Sequence, residues 1–135
     1  MSGPEGVHRC RVEWIDTDSA GIHHNSTVVR WAEAAEAELM RGLGLDDYFA
    51  AAPRVRYEAD FLASVRFGDH VVATTRVATV GRSSLTLEFE VVGGPPGEER
   101  PVARGRYVTV HVGADGPEPW PDAWRAALGA GTAGV

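Results

Sequence analysis

The chain has 135 residues, 44% of them hydrophobic and 24% charged, and a formal net charge of −6. That length suits one domain with its own core and is too short for two. The acidic balance argues against non-specific nucleic-acid binding, and no apolar run approaches the ~18 residues of a membrane span. The N-terminal MSGPEGVHR has no apolar stretch of the signal-peptide kind, so a reduced cytoplasm is the expected compartment. Cys10 is the single cysteine; it closes no internal disulfide, and the Cys/His spacing offers no zinc site. All 13 basic residues are Arg, which excludes Schiff-base chemistry and a P-loop lysine.

In chain order, residues 1–6 and about 126–135 are small or polar and are expected to be loose. Val7–Trp14 alternates well enough for a first strand. A turn-forming segment follows, then a helix from about Ser26 to Leu43, capped by Ser26 or Asn25 and ended by Gly42 or Gly44. At ~100° per residue, Val28, Ala32, Ala35, Leu39 and Leu43 share one side of that helix. Glu36 falls inside the same apolar arc, either at its edge reaching water or placed there for a purpose. Beyond the helix the period changes to two. Val55, Tyr57, Ala59 and Phe61 alternate with charges in Arg54–Leu62; His70–Val80 is rich in Val and Thr; Leu85, Leu87, Phe89 and Val91 alternate in Ser83–Val92; a last strand covers about Pro101–Val112. GRSS at 81–84 and GGPPGEE at 93–99 divide these runs. The order implies an α+β fold, a mainly antiparallel sheet with one long helix on one face.

The chemistry-bearing stretch is Glu13–Glu36, EWIDTDSAGIHHNSTVVRWAEAAE. Asp16 and Asp18 are two apart, so an extended chain turns both the same way, and close carboxylates resist joint ionisation. Gly21 permits a tight bend before the helix. The residues after it bring backbone N–H groups and the positive helix end toward the same place. A carboxylate there can attack, or direct water onto, a carbonyl whose oxygen those N–H groups polarise. The bland alternative is a turn whose Asp residues satisfy backbone donors. No G-x-S-x-G elbow, G-x-G-x-x-G or H-E-x-x-H occurs, and His8, His70 and His111 fall in or beside strands as surface or packed residues.

The segment DTDSAGIHHNSTVVRWAEAAE resembles the signature of the hot-dog-fold acyl-CoA thioesterases, in particular the 4-hydroxybenzoyl-CoA thioesterase family. VRYEADFLASVRFGDHV, GRSSLTLEFEV, RGRYVTVHV and PWPDAWRAAL resemble the family's later elements in order, so the similarity covers roughly residues 7–128. The resemblance implies a hot-dog fold, an antiparallel sheet of about five strands wrapped around one long central helix. It implies that Asp18 is the catalytic aspartate, acting as nucleophile or general base. His24 and Asn25 match the positions before the helix where a backbone N–H binds the thioester oxygen. Gly21 and Thr27 fall among the substrate-binding positions, and the turn Arg82-Ser83-Ser84 matches a region that contacts coenzyme A phosphates. Ala35-Glu36 stands where many relatives carry Ala-Arg. Because another hot-dog branch uses a helix carboxylate, Glu36 and Glu33 are reserve candidates, as is His23.

The resemblance further implies an acyl-CoA or acyl-carrier-protein thioester as substrate, with coenzyme A entering only as part of it and no other cofactor or metal. It implies a homodimer or homotetramer, since hot-dog pockets form between protomers. Trp14, Trp31, Tyr57 and Phe61 are candidates to line the acyl pocket, each weighed against ordinary core packing. Two rival functions remain. One is a hot-dog enoyl-thioester hydratase or dehydratase, hinted at by four residues between Asp18 and His23, although Ala20-Gly21 stands where Asn-Pro is usual. The other is a non-catalytic acyl-thioester-binding subunit.

Overall fold

The structure is a computed structural model that describes residues 3–129. Five strands form one antiparallel sheet in the order β1-β3-β4-β5-β2, with β1 Glu5–Arg11, β2 Arg54–Phe61, β3 His70–Val80, β4 Ser84–Gly94 and β5 Arg100–Val110. The helix α1, Asn25–Gly42, lies on one face of it. This is the one-helix, five-strand wrap that the sequence resemblance implies. Among the described residues no helix is long and apolar enough to cross a membrane.

The apolar arc of α1 behaves as its spacing requires. Val28, Ala32, Ala35 and Leu39 are buried with Trp31 and Met40, against Val71, Ala73, Leu85, Leu87 and Val91 of the sheet. The small residues on this arc let the helix approach β1 closely. A Cβ on Gly6 would lie 2.2 Å from the Ala35 carbonyl oxygen and 2.4 Å from the Leu39 nitrogen. The helix ends as Gly44 N–H donates to Arg41 O and Leu45 N–H to Met40 O, which satisfies two orphan carbonyls.

Several local expectations change. The first strand ends at Arg11, and Trp14–Asp16 forms a 3-10 turn instead. The helix begins at Asn25 with His24 as its N-cap, and no side chain caps it; the backbone pins His24 instead, its N–H donating to Asp16 O. The last long strand stops at Val110 and is followed by a small hairpin, β6 Val112–Gly113 with β7 Gly116–Pro117. Tyr48–Ala51 forms a short helix, α2, that places Tyr48 in the core.

The ends are also more ordered than their composition suggests. Glu5 and Gly6 are in β1, and α3, Asp122–Leu128, buries Leu128. The rest of the ends expected to be loose, residues 1–2 and 130–135, lie outside the described residues.

The face of the sheet away from α1 is charged. One register row reads Glu5–Arg76–Glu88–Arg106–Glu58 across all five strands, alternating in sign. Directly opposed unlike charges stabilise a sheet and keep that face in water. The next row, Glu90–Arg104–Asp60, continues the pattern.

Candidate active site

The segment before α1 folds as a small hairpin. Gly21 N–H donates to Asp18 O, Asp18 N–H donates to Ile22 O, and Thr17 bridges His23. Gly21 has φ +80°, the left-handed conformation that closes such a turn at no steric cost. The hairpin is fixed from the side by the 65–69 loop: Ile22 bridges Arg66, and His23 N–H donates to Val65 O at 3.0 Å.

The two aspartates take different roles. Asp16 is buried, and its carboxylate accepts from Glu13 N at 2.8 Å and from the Arg30 guanidinium. Its carbonyl accepts from His24 N and from the Thr27 hydroxyl. Asp16 therefore builds the segment and ties it to the helix start. Asp18 is half-buried; Oδ1 accepts from Ala20 N at 2.8 Å, and Oδ2 has no hydrogen bond among the described residues. The 3-10 turn removes the extended geometry in which both side chains would face alike.

The helix start is open. His24 N–H is taken by Asp16 O and Thr27 N–H by His24 O. The N–H groups of Asn25 and Ser26 are first-turn donors with no intrahelical acceptor. No acidic residue occupies that turn, so the positive end of the helix is unshielded. The Thr27 side chain is buried and committed to Asp16 O.

His23 is 4% exposed, packs on Trp31, and its Nδ1 accepts from Val65 N–H at 3.4 Å. Burial pulls its pKa below the ordinary 6.5, against the attraction of Asp18, and so favours the neutral ring. With Nδ1 an acceptor, the proton sits on Nε2, which is buried without a partner. The His24 side chain is exposed.

Glu36 is 0% exposed, so of its two alternatives the position at the arc's edge reaching water is excluded. Its Oε1 accepts from Arg54 Nη2 at 2.6 Å and from the Tyr107 hydroxyl at 2.8 Å. The same Arg54 pairs with Glu33 and lies over the Tyr107 ring at 4.4 Å. Burial raises the Glu36 carboxyl above its usual range, opposed by Tyr48, Arg54 and Tyr107. Tyr48 in turn shares a 2.7 Å hydrogen bond with Thr109. Both reserve carboxylates thus serve one polar cluster that joins α1 to β2 and β5. Nothing local in the sequence pairs Arg54 with Glu36; only the alternation that puts Tyr107 on the helix side of β5 hints at it.

The turn Gly81–Ser84, with Arg82 exposed and Ser83 and Ser84 half-buried, joins β3 to β4. It is not beside Asp18. The Asp18 hairpin adjoins the His70 end of β3, and the strand is 11 residues long. At ~3.3 Å per residue the turn is roughly 35 Å away in the same chain. Of the aromatic candidates, Trp31 is core, Trp14 is 77% exposed against Phe67, and Phe61 is exposed on β2. Tyr57 stacks on Phe89, and burial pushes its hydroxyl pKa up to about 12. No group of three or more His, Cys, Asp or Glu able to hold a metal occurs among the described residues.

Residues 20–100 match the thioesterase superfamily. No curated protein matches the chain. A thioesterase from Thermus thermophilus, complexed with coenzyme A and Zn, has a TM-score of 0.83 at 26% identity, covering 95% of this chain and 93% of that one. A predicted thioesterase from Bacillus stearothermophilus has a TM-score of 0.80 at 28% identity, covering 92% and 93%. The 4-hydroxybenzoyl-CoA thioesterase of Pseudomonas sp. strain CBS-3 has a TM-score of 0.83 at 22% identity, covering 92% and 99%, and bears on the fold alone.

Proposed function

The chain belongs to the thioesterase superfamily and is a thioester hydrolase; from that premise we propose that it cleaves an acyl-CoA with Asp18 as the reacting carboxylate. The observation that carries this reading is the pairing of Asp18, whose Oδ2 is uncommitted, with an uncapped, unshielded helix start in the same tied segment.

The N–H groups of Asn25 and Ser26 are the donors available to the thioester oxygen, since that of His24 is spent on Asp16. Each such donor contributes about 3 kcal/mol to a developing oxyanion. Asp18 then acts by one of two routes. As nucleophile, its oxygen bonds to the carbonyl carbon, the C–S bond breaks, coenzyme A leaves as thiolate, and water hydrolyses the anhydride. As general base, it takes a proton from the water that adds to the same carbon. Both routes yield the free acid and coenzyme A, and neither requires a cofactor. The hydratase reading loses support because the His23 ring is buried and engaged by Val65.

The substrate's two ends call for two copies of the chain. β2 is an edge strand, and Val55, Phe61 and neighbouring Leu62 are exposed along it. Joining two β2 edges antiparallel about a two-fold axis sets the partner's 81–84 turn at the same end of the joint sheet as Asp18. A homodimer of this kind brings the reacting carboxylate and the expected phosphate contacts to one side.

The test is thiol release over short, long and aromatic acyl-CoAs by the wild type and Asp18→Asn. The expected result is release by the wild type and a loss of at least about a hundredfold in kcat for the variant, with unchanged circular dichroism. Near-wild-type release by Asp18→Asn would remove Asp18 from the reaction.

A further inference from the structure

The carbonyls of the β3–β4 turn are all engaged, Ser84 O in part by Gly81 N–H of the turn itself and the rest by donors of the later chain. Arg125 Nη2 donates to Gly81 O at 2.6 Å and to Arg82 O at 3.0 Å. Trp120 donates its backbone N–H to Arg82 O at 3.0 Å and its Nε1–H to Ser84 O at 3.0 Å. His111 N–H donates to Ser83 O at 2.8 Å. Trp120 is itself buried, stacked on Tyr48 and packed on His111 and Trp124. The 120–125 segment is therefore a strap laid across the turn and anchored in the core.

Peptide planarity fixes what this leaves outside. In a trans peptide the N–H points opposite to the preceding C=O. With Gly81 O and Arg82 O drawn onto the strap, the N–H groups of Arg82 and Ser83 point away from it. The Arg82 guanidinium and the Ser83 and Ser84 hydroxyls form no ion pair or side-chain hydrogen bond among the described residues. With Gly81 N–H spent on Ser84 O, the donors left for an anion are the Arg82 and Ser83 N–H groups and the three side chains.

We propose that Arg125 and Trp120 are positioning residues for the phosphate end of coenzyme A: the strap holds the turn in the orientation that presents its donors. The proposal rests on the reading of this turn as a phosphate contact and goes beyond it by giving the C-terminal helix a role in substrate affinity. Neither residue touches the reacting carbonyl, so the effect belongs to binding of the nucleotide and not to turnover. Without Arg125, two turn carbonyls lose their charged donor and the turn reorients toward water.

The test compares the wild type, Arg125→Ala and Arg125→Lys in two assays. Titration calorimetry measures the Kd of free coenzyme A and of pantetheine, which lacks the nucleotide phosphates. Kinetics measure KM and kcat for the same acyl group on each carrier. Arg125→Ala is expected to weaken coenzyme A and raise the acyl-CoA KM by about tenfold, with kcat and both pantetheine values within about twofold. Arg125→Lys, which retains a cationic donor, is expected to recover most of the loss. Equal effects on both carriers, no effect on coenzyme A, or no coenzyme A binding by the wild type would overturn the proposal. Absence of thiol release with an intact calorimetric difference would instead sink the hydrolase mechanism and leave the strap standing.

Discussion

Glu36 sits where the helix period calls for an apolar side chain, and Arg54 is the reason it is tolerated. A lone buried carboxylate costs several kcal/mol or gives up its charge. Here Arg54 and Tyr107 satisfy Oε1, and Tyr48 lies close enough to favour the charged form. The arrangement reads as a structural clamp, since Tyr48 and Tyr107 around it belong to the core and Arg54 ties it to Glu33. Removing the carboxylate leaves Arg54 with Glu33 alone. Because the Arg54 side chain is 23% exposed and keeps that partner, Glu36→Ala is expected to cost about 2–3 kcal/mol. That is below the ~3–5 kcal/mol of a fully buried pair, and urea denaturation measures it. The pH dependence has a definite sign. Above the ordinary 4.5 and up to its raised folded value, the native carboxyl keeps a proton that the unfolded chain has released. Its contribution is therefore full below 4.5 and declines as pH rises through that window, a slope that Glu36→Ala should lack.

The two aspartates teach the complementary lesson at the same scale. Their spacing announced a pair, yet one is buried against Arg30 and Glu13 N while the other keeps an oxygen free. The difference comes from the 3-10 turn at Trp14–Asp16. No residue pattern in that stretch marks the turn strongly enough to separate it from a continuing strand.

At the scale of elements, the long helix and the four strands after it were legible because each depends on a local period. Val28, Ala32, Ala35 and Leu39 are buried on one helix face, and Leu85, Leu87, Phe89 and Val91 on one strand face. The short pieces were not legible. α2, α3 and the 112–117 hairpin are too brief for a period, and α2 and α3 are held by Tyr48 and Leu128, which find places in the core. The contact between α1 and β1 is also invisible locally, since a glycine in a strand ordinarily reads as a weak point. Gly6 is instead the site of closest approach. Gly6→Ala must push helix backbone away, at a cost near the upper end of overpacking, about 3 kcal/mol. Differential scanning calorimetry should show a Tm lower by roughly 10 °C.

For the whole molecule, the two faces and two edges of the sheet have different chemistry. α1 covers one face, and alternating charges cover the other. β2 is an edge strand with Val55 and Phe61 exposed and Leu62 exposed just beyond it, and it is the edge at which the proposed second copy would join. Lysine at both Val55 and Phe61 places like charges across that seam. Sedimentation velocity is expected to show a dimer or larger species for the wild type and a monomer for Val55→Lys/Phe61→Lys. Loss of thiol release with retained helical circular dichroism should accompany dissociation. A wild-type monomer that releases thiol at the full rate would rule out the shared site.

By itself the sequence determined the class of fold, the long helix with its apolar arc, the order of the elements along the chain, and the placing of Asp18 just before a helix start. Those are properties of neighbours in the chain: hydrophobic period, turn residues and a motif within one segment. The tertiary structure decided which helix-start N–H groups are free, because Asp16 O takes that of His24. It decided what Glu36 meets, because Arg54 and Tyr107 arrive from strands far along the chain. It also separated Asp18 from the Arg82 turn by the length of β3. Each of these depends on which distant groups meet and how far apart the sheet holds them, and a period in one segment carries no information about its partners.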